Sequence, residues 1–299
     1  MKALVSRNPV TTFIALTLGF QLTIVLAAWA LIPAGMHLHD LPKAHMVFRL
    51  RVFGPLFFAV AITAWIDGWT GLRKLFSAYF NWRIPPQWYL LAFSWKFICT
   101  YIGMAAVVLV GVADWPGFVT PDFFWPLMKN MAFIVGIALV EETSWMKFGV
   151  TRLHERYSAL RTSLTVGLCW GLWYLPMLIL GEGVPDGIPW WVFLVSMFNL
   201  TVMLNWMYNM THSGLVLLCA QIVSNCAFFI APVLPAWTGG PVFVTAFVSV
   251  FLLFAGFLLL WFGPKDLGTG PRARWSDPVL RPIAGGSGRA KKPSMARVA

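Results

Sequence analysis

The sequence predicts an all-α, polytopic transmembrane bundle of about eight helices. Of its 299 residues, 59% are hydrophobic and only 11% are charged, and the mean hydropathy is +0.73. A soluble domain is usually about 25% charged. Apolar runs of about 20 residues, long enough to cross a bilayer as helices, recur along the chain. This composition disfavours soluble enzymes, nucleic-acid-binding modules and disordered proteins.

Eight apolar runs are predicted to span the membrane. They cover residues 12–33, 52–66, 87–112, 124–148, 162–180, 190–208, 213–233 and 241–263. Within these runs apolar and polar residues do not alternate, which favours helices over a β-barrel. The runs define a transmembrane domain at 1–263. The tail at 264–299 is basic and rich in Gly and Pro, and we expect it to be disordered in the cytoplasm.

The basic residues predict the orientation. With the N-terminus inside, 17 of the 22 Lys and Arg fall in segments on the inner side and three in outer loops. The positive-inside rule then places both termini in the cytoplasm. The net charge of +11 therefore indicates a lipid bilayer as partner and no nucleic acid. The four cysteines lie in apolar runs without a paired motif and are read as small buried hydrophobes.

The segment 71–87 differs from the spans around it. It is basic and amphipathic and ends at Pro85 and Pro86. This pattern is typical of a helix lying on the inner membrane surface. A solvated cytoplasmic loop is the alternative.

Two acidic residues fall inside a predicted span, Glu141 and Glu142 in ALVEETSWMKFG. Ionisable residues within a span are costly and usually functional. Two adjacent carboxylates in a low-dielectric site do not both ionise easily, so we expect them to share one proton near neutral pH. Alternatively the helix ends near Val140 and both acids lie in water.

Further polar side chains are predicted at a similar depth. Counted at about 1.5 Å per residue from the cytoplasmic helix ends, the Glu pair lies about 10 Å deep, and the others lie about 12–18 Å deep. Those others are Lys96, Trp170, Tyr174, Gln221 and Asn225. Gln221 and Asn225 are four residues apart and share one helix face. We therefore expect one polar cluster in the cytoplasmic half of the membrane.

These residues give the chain its resemblance to the CPBP family of intramembrane proteases, the type II CAAX prenyl endopeptidases and their bacterial relatives. The resemblance covers about 71–229. The Glu pair, the following basic loop, LTVGLCWGLWYLP and NWMYNMTHSGLVLLCAQIVSN carry it. It implies an integral protein of a bacterial plasma membrane. It also implies a membrane-embedded or membrane-proximal peptide or protein substrate.

The sequence departs from the family pattern at three positions. Met146 stands where the pattern has Arg, and Tyr174 and Gln221 stand where it has His. Carried over by position, the resemblance implies Glu141 as the base that activates water and Asn225 as an oxyanion donor. Gln221 still offers an amide N–H. Tyr174 is a poor base, since a phenol has an ordinary pKa of about 10, but it can orient water or donate a proton.

The histidines argue against a metal at the Glu pair. All five are predicted in loops or at helix ends, so we expect neither a metal nor another cofactor there. His37, His39 and His45 with Asp40 form an outer cluster that we read either as a weak metal site or as a polar loop. For the missing Arg, the sequence suggests that Lys96 pairs with Glu141 or Glu142. The rival reading is that Lys96 extends to the cytoplasmic interface.

Three functions are compatible with this pattern. One is an endopeptidase that cleaves near the cytoplasmic face, with weakened activity. Another is an inactive pseudoprotease that acts as a membrane scaffold or binding protein. A proton-coupled transporter that uses the Glu pair is the third, although no internal repeat supports it.

Overall fold

The computed structural model describes residues 2–278, and every regular element in that range is helical. Eight helical stretches are long and apolar enough to cross a membrane, which confirms the predicted class and helix number. They are Pro9–Leu31, Pro42–Phe80, Pro86–Leu109, Phe124–Leu153, Ala159–Leu180, Trp190–Thr211, Gly214–Thr238 and Val242–Phe262.

The principal helices are labelled α1 to α8 in chain order. They are α1 (Pro9–Leu31), α2 (Gly54–Ser77), α3 (Pro86–Leu109), α4 (Phe124–Glu141), α5 (Ala159–Tyr174), α6 (Trp190–Thr211), α7 (Gly214–Ile230) and α8 (Val242–Phe262). Short α-helical segments are Lys2–Arg7, Pro42–Arg49, Thr151–Leu153 and Pro235–Thr238. Four 3₁₀ segments are Leu38–Asp40, Leu50–Phe53, Ala78–Phe80 and Leu175–Leu180, and Glu142–Val150 is a π-helix.

The helices run up and down, so both ends of the described chain lie at one end of the bundle. There Arg156 Nη2 donates to the carbonyl of Arg7 at 2.9 Å, and the amide of Ala159 donates to the carbonyl of Lys265 at 2.8 Å. We call this the terminal end. The other, the opposite end, carries the segment 32–53 and the loop 181–189.

Glycines let neighbouring helices approach closely around the site. A Cβ on Gly103 of α3 would lie 2.7 Å from the backbone nitrogen of Phe247 in α8. A Cβ on Gly167 of α5 would lie 2.8 Å from Thr201 Oγ1 in α6. Small residues at such crossings are how membrane helices gain packing contact without a hydrophobic driving force. They fix the walls against which the polar side chains sit.

A kink separates the second span from the segment predicted to lie on the membrane surface. Gly68 has φ 62° and ψ −152°, a conformation that only glycine adopts readily. The helix resumes after it and its 3₁₀ end closes at Phe80, so helix covers only the first part of 71–87. Its position relative to a membrane surface stays a prediction.

The first part of the C-terminal tail packs on the terminal end of the bundle, where the sequence suggested disorder. The first amides of a helix have no partner within it. At the start of α5, the amides of Leu160 and Ala159 donate instead to the carbonyls of Pro264 and Lys265. Leu267 is fully buried. These unsatisfied helix-end donors explain why a polar, Gly-rich segment is ordered. The rest of the predicted tail, 279–299, lies outside the described residues.

A buried polar network holds this segment, and we call His154, Asn205 and Asn209 the His154 cluster. His154 Nδ1 donates to the carbonyl of Ala273 at 2.7 Å, and Asn205 Nδ2 lies 3.2 Å from His154 Nε2. Asn209 Nδ2 donates to Asn205 Oδ1 at 3.1 Å, and its Oδ1 accepts from the amide of Ala273 at 3.0 Å. Every side-chain nitrogen and oxygen of these three residues has a partner.

Candidate active site

A change of helix type positions the Glu pair. Glu141 is the last residue of α4, and Glu142 begins the π-helix that continues to Val150. A π-helix bonds i to i+5 and occurs mostly at functional sites. The helical run extends to Leu153 instead of ending near Phe148, and both glutamates are only 1% exposed. The alternative in which the helix ends near Val140 and leaves them in water is therefore wrong.

Glu141 is held by three hydrogen-bond donors. Tyr174 Oη donates to Oε1 at 2.7 Å, and Gln221 Nε2 donates to Oε2 at 2.7 Å. Trp170 Nε1 adds a longer bond to Oε1, at 3.4 Å. A buried carboxylate is tolerated when donors replace its water, and bonds to a charged acceptor are the stronger kind. Helices α5 and α7 thus supply the three hydrogen-bond donors to this side chain.

The Trp170 ring is held in place by stacking on a second indole ring. It stacks on Trp145 of the π-helix with ring centres 6.0 Å apart and planes 12° from parallel. Both rings are essentially fully buried. Trp170 and Tyr174 are four residues apart, so they share a face of α5. The four-residue spacing in the sequence therefore brings both donors to the same carboxylate.

The carboxylate of Glu141 opens on a cavity of about 190 Å³. Lys96, Trp170, Tyr174, Gln221 and Asn225 also line it. The five polar residues predicted at similar depth therefore meet around one space with Glu141. Asn225 is partly buried, and its amide makes no hydrogen bond with any residue that the structure describes. A cavity of this size has room for several waters.

The cavity extends toward the opposite end of the bundle. Gly183, Pro185 and Ile188 of the loop 181–189 line it, and so do Val244 and Phe247 near the start of α8. None of these residues lies at the terminal end. The space above Glu141 therefore faces away from the chain termini, which the depth estimate from the sequence did not reveal.

Glu142 lies outside this cavity. Both of its carboxylate oxygens are buried and have no hydrogen-bond partner among residues 2–278, and the cavity lining does not include it. The neighbouring Thr143 hydroxyl bonds with Tyr79 Oη at 2.7 Å. The two adjacent glutamates thus differ in their surroundings: Glu141 accepts three hydrogen bonds and lines the cavity, whereas Glu142 does neither.

The position of the family's Arg is filled by Met146, which is fully buried. Lys147 turns away from Glu142, and its Nζ donates to Tyr208 Oη at 2.7 Å. The predicted pairing of Lys96 with the glutamates is wrong, because no carboxylate of residues 2–278 lies within 4.0 Å of its ammonium.

The rival reading, in which Lys96 extends to the cytoplasmic interface, is also wrong. Lys96 is only 4% exposed. Its Nζ lies 3.8 Å from the ring centre of Phe228 and 4.2 Å from that of Phe247. Both rings are near the opposite end, so the side chain points away from the terminal end. Cation–π contact takes the place of an ion pair.

Histidine is absent from the cavity lining. The outer cluster has a different membership from the one predicted. His39 and His45 meet Glu182, while the carboxylate of Asp40 accepts from the backbone amide of His37 at 2.8 Å. Sequence reasoning missed Glu182, because nothing in the pattern connects that loop to residues about 140 positions earlier.

Comparison with known proteins agrees with this geometry. Residues 123–227 match the family model described as type II CAAX prenyl endopeptidase, Rce1-like. The match spans α4, the π-helix, α5, α6 and most of α7, and so includes Glu141, Glu142, Tyr174, Gln221 and Asn225. A search of curated proteins gives no significant match. The chain is an integral membrane protein, and its central segment, residues 123–227, is similar to the Rce1-like type II CAAX prenyl endopeptidases.

Proposed function

We propose that the protein is an intramembrane endopeptidase in which Glu141 activates a water molecule for attack on a peptide bond. One observation carries the proposal: a buried carboxylate, held by three donors, opens on a cavity inside the helices. An ionised carboxyl has about four acceptor sites. Three of them are used, so one stays available for water.

The residues around the cavity supply each proton and charge that the reaction needs. Glu141 takes a proton from water as the water oxygen bonds to the carbonyl carbon. The amide of Asn225 stabilises the oxyanion, together with the second N–H of Gln221. Collapse of the intermediate breaks the C–N bond, and the proton held by Glu141 passes to the departing amine. Tyr174 keeps the carboxylate oriented.

The buried carbonyl of Gln221 supports the proposal that a peptide substrate occupies the cavity beside Glu141. Its Oε1 has no partner among the described residues, and the amide lines the cavity. An orphaned buried acceptor costs about 1–3 kcal/mol. A backbone N–H of an extended peptide would satisfy it and align the adjacent carbonyl near Glu141.

The substrate proposed here is a membrane-embedded or membrane-proximal peptide. Because the cavity extends from Glu141 to the loop 181–189, the peptide bond is presented within the bundle on the side facing the opposite end. With both termini in the cytoplasm of a bacterial cell, that end faces outward. A reporter fused at the C-terminus should then report cytoplasm, and one within 181–189 the outside. A non-cytoplasmic signal at the C-terminus would overturn this orientation.

A catalytically inactive scaffold is the second candidate, and the missing imidazoles favour it. No histidine lines the cavity, and loss of an acid–base partner costs about 10²–10⁴ in rate. In that case the same cavity would hold a membrane partner without cleaving it.

Cleavage assays distinguish the two. Purified protein in detergent is incubated with a panel of membrane peptides, and the wild type is compared with Glu141→Ala. Glu155→Gln is the control, because Glu155 is an exposed carboxylate at the terminal end that contacts Ser276. Cleavage that Glu141→Ala abolishes and Glu155→Gln keeps supports the peptidase. Binding of a peptide without cleavage by the wild type overturns it in favour of the scaffold.

A further inference from the structure

A second group of ionisable side chains lies at the opposite end of the bundle. His39 belongs to the 3₁₀ segment Leu38–Asp40, His45 to the helix Pro42–Arg49, and Glu182 to the loop after α5. Their potential ligand atoms all lie within 4.8 Å of one another. Glu182 Oε1 is 3.0 Å from His45 Nε2 and 3.4 Å from His39 Nε2. The two imidazoles and the carboxylate thus converge from segments far apart in the sequence.

These separations suit a tetrahedral metal ion. Zinc binds imidazole nitrogen and carboxylate oxygen at about 2.0–2.2 Å, so two ligand atoms on one ion are about 3.4 Å apart. The observed distances of 3.0 and 3.4 Å from Glu182 Oε1 are close to that edge length. Two histidines and one glutamate are also a known zinc ligand set, in which the fourth position is left to water.

Hydrogen bonding does not account for this contact. Glu182 Oε1 is buried and lies at ion-pair distance from both imidazoles, yet it accepts no hydrogen bond from any donor among residues 2–278. A buried carboxylate oxygen without a donor is expensive. A shared cation would satisfy the oxygen and both nitrogens at once.

The backbone is anchored next to two of the three ligands. Leu38, next to His39, is 2% exposed, and a capping box closes the 3₁₀ turn between His37 and Asp40. On the other side, the amide of Glu182 donates to the carbonyl of Met177 at 3.0 Å. Anchored ligands lose little freedom on binding, which favours a specific site over chance proximity.

We propose that His39, His45 and Glu182 form a binding site for a divalent transition-metal ion of the zinc type, at a place separate from the Glu141 cavity. Imidazole with carboxylate suits zinc, copper and nickel better than magnesium or calcium. The guanidinium of Arg51 lines the same surface recess as His45 and Glu182 and opposes a cation there. The imidazoles make most of the coordination and do not depend on net negative charge.

The proposed ion would clamp two segments together. It joins the segment before α2 to the loop 181–189, in which Gly183 follows Glu182 and lines the Glu141 cavity. Binding would therefore fix one wall of that cavity from the opposite end of the bundle.

Metal binding to the full-length protein tests the proposal. The detergent-solubilised protein is treated with a chelator, dialysed and titrated with Zn²⁺ in a calorimeter. The wild type should bind one equivalent. His45→Ala and Glu182→Gln should each weaken that binding by more than the 10–100-fold that loss of an outer-shell partner costs. His37→Asn is the matched control, since His37 is an exposed histidine of the same segment outside the cluster and asparagine keeps a side-chain acceptor at this cap position; it should leave binding unchanged.

Two further measurements distinguish metal binding at the proposed site from binding at the cysteines or elsewhere. Co²⁺ loaded into the wild type should give a spectrum without thiolate charge-transfer bands, because the four free cysteines are not ligands. Zn²⁺ should raise the melting temperature of the wild type and of His37→Asn only. Absence of binding in the wild type, or equal binding in wild type and Glu182→Gln, would overturn the proposal.

Discussion

Two buried polar regions of the molecule differ in how completely their atoms are paired. In the His154 cluster every side-chain nitrogen and oxygen has a partner. Around the Glu pair, the part of the chain that the structure describes provides no hydrogen-bond partner for either oxygen of Glu142 or for the carbonyl of Gln221. A paired network is what a structural role requires, whereas orphaned groups beside a cavity mark a place where another molecule can supply the missing partners.

Position in the bundle explains the difference. The His154 cluster lies at the terminal end, where turns and the segment 264–278 offer backbone groups at many angles. The Glu pair lies within the spans, where helical backbone groups are already paired and only side chains remain as partners. A polar site in mid-span therefore depends on a few side chains, and a polar atom that they do not reach is left without a hydrogen-bond partner.

The largest effect on stability should come from the paired region. Asn205→Ala removes the bonds of Asn205 to His154, Ala159 and Ser163. We expect it to lower the free energy of unfolding by about 2–4 kcal/mol, since each orphaned buried group costs about 1–3 kcal/mol. Unfolding in mixed micelles measures this. Ser249→Ala, an exposed hydroxyl bonded within its own helix, should change it by less than about 0.5 kcal/mol.

Lys96→Met, in contrast, should stabilise the folded protein. The ammonium is buried without a counter-charge, which costs several kcal/mol, and cation–π contact with Phe228 and Phe247 returns about 2 kcal/mol. We expect the free energy of unfolding to rise by about 1–2 kcal/mol. Combined with Glu142→Gln the effects should add within about 0.5 kcal/mol, because the two side chains do not touch. Strong coupling would restore the ion pair that the structure excludes.

Glu142→Gln should show where the shared proton of the pair resides. Glu141 has three donors that favour its ionised form, and Glu142 has none. The infrared band of a protonated carboxyl near neutral pH should therefore disappear in Glu142→Gln and persist in Glu141→Gln. We expect less than about 1 kcal/mol change in stability from Glu142→Gln. Loss of the band in Glu141→Gln alone would reverse the assignment.

The paired region should also give the stability a pH dependence. Burial lowers the pKa of His154 to about 4, with Arg272 and Arg274 lowering it further, while the Ala273 carbonyl and Asp266 raise it. The unfolded chain, with a histidine pKa of about 6.5, binds the proton first. Stability should thus fall as the pH drops from about 6.5 to about 4. His154→Gln should flatten that part of the stability profile, and an unchanged slope would contradict the assignment.

Several site residues could be predicted because membrane helices convert sequence position into depth. Trp170 with Tyr174, and Gln221 with Asn225, each share a helix face through four-residue spacing, and all four line the cavity with Glu141. Depth gives height but not direction around the helix. That is why Lys96 was placed at the correct level with the wrong partner. Pairings that join distant loops, such as Glu182 with His45, leave no periodic signal.

The other differences come from interactions that no local pattern encodes. The π-helix after Glu141 replaces the α-helical geometry that motif spacing assumes. The ordered segment 264–278 depends on free N–H groups at the start of α5, about a hundred residues earlier. Composition alone describes that segment as disordered, because it contains little that is apolar.

The C-terminal segment has a consequence for biogenesis. Translation proceeds from the N-terminus, so α5 and α6 emerge long before the carbonyls of 264–273 that complete their ends. Until α8 has entered the membrane, the donors of Ala159 and Leu160 and the imidazole of His154 must be satisfied by water or by the insertion machinery. The terminal end therefore closes last. A chain that ends after Phe262 would contain all eight principal helices but lack the backbone groups that complete the polar contacts of this end.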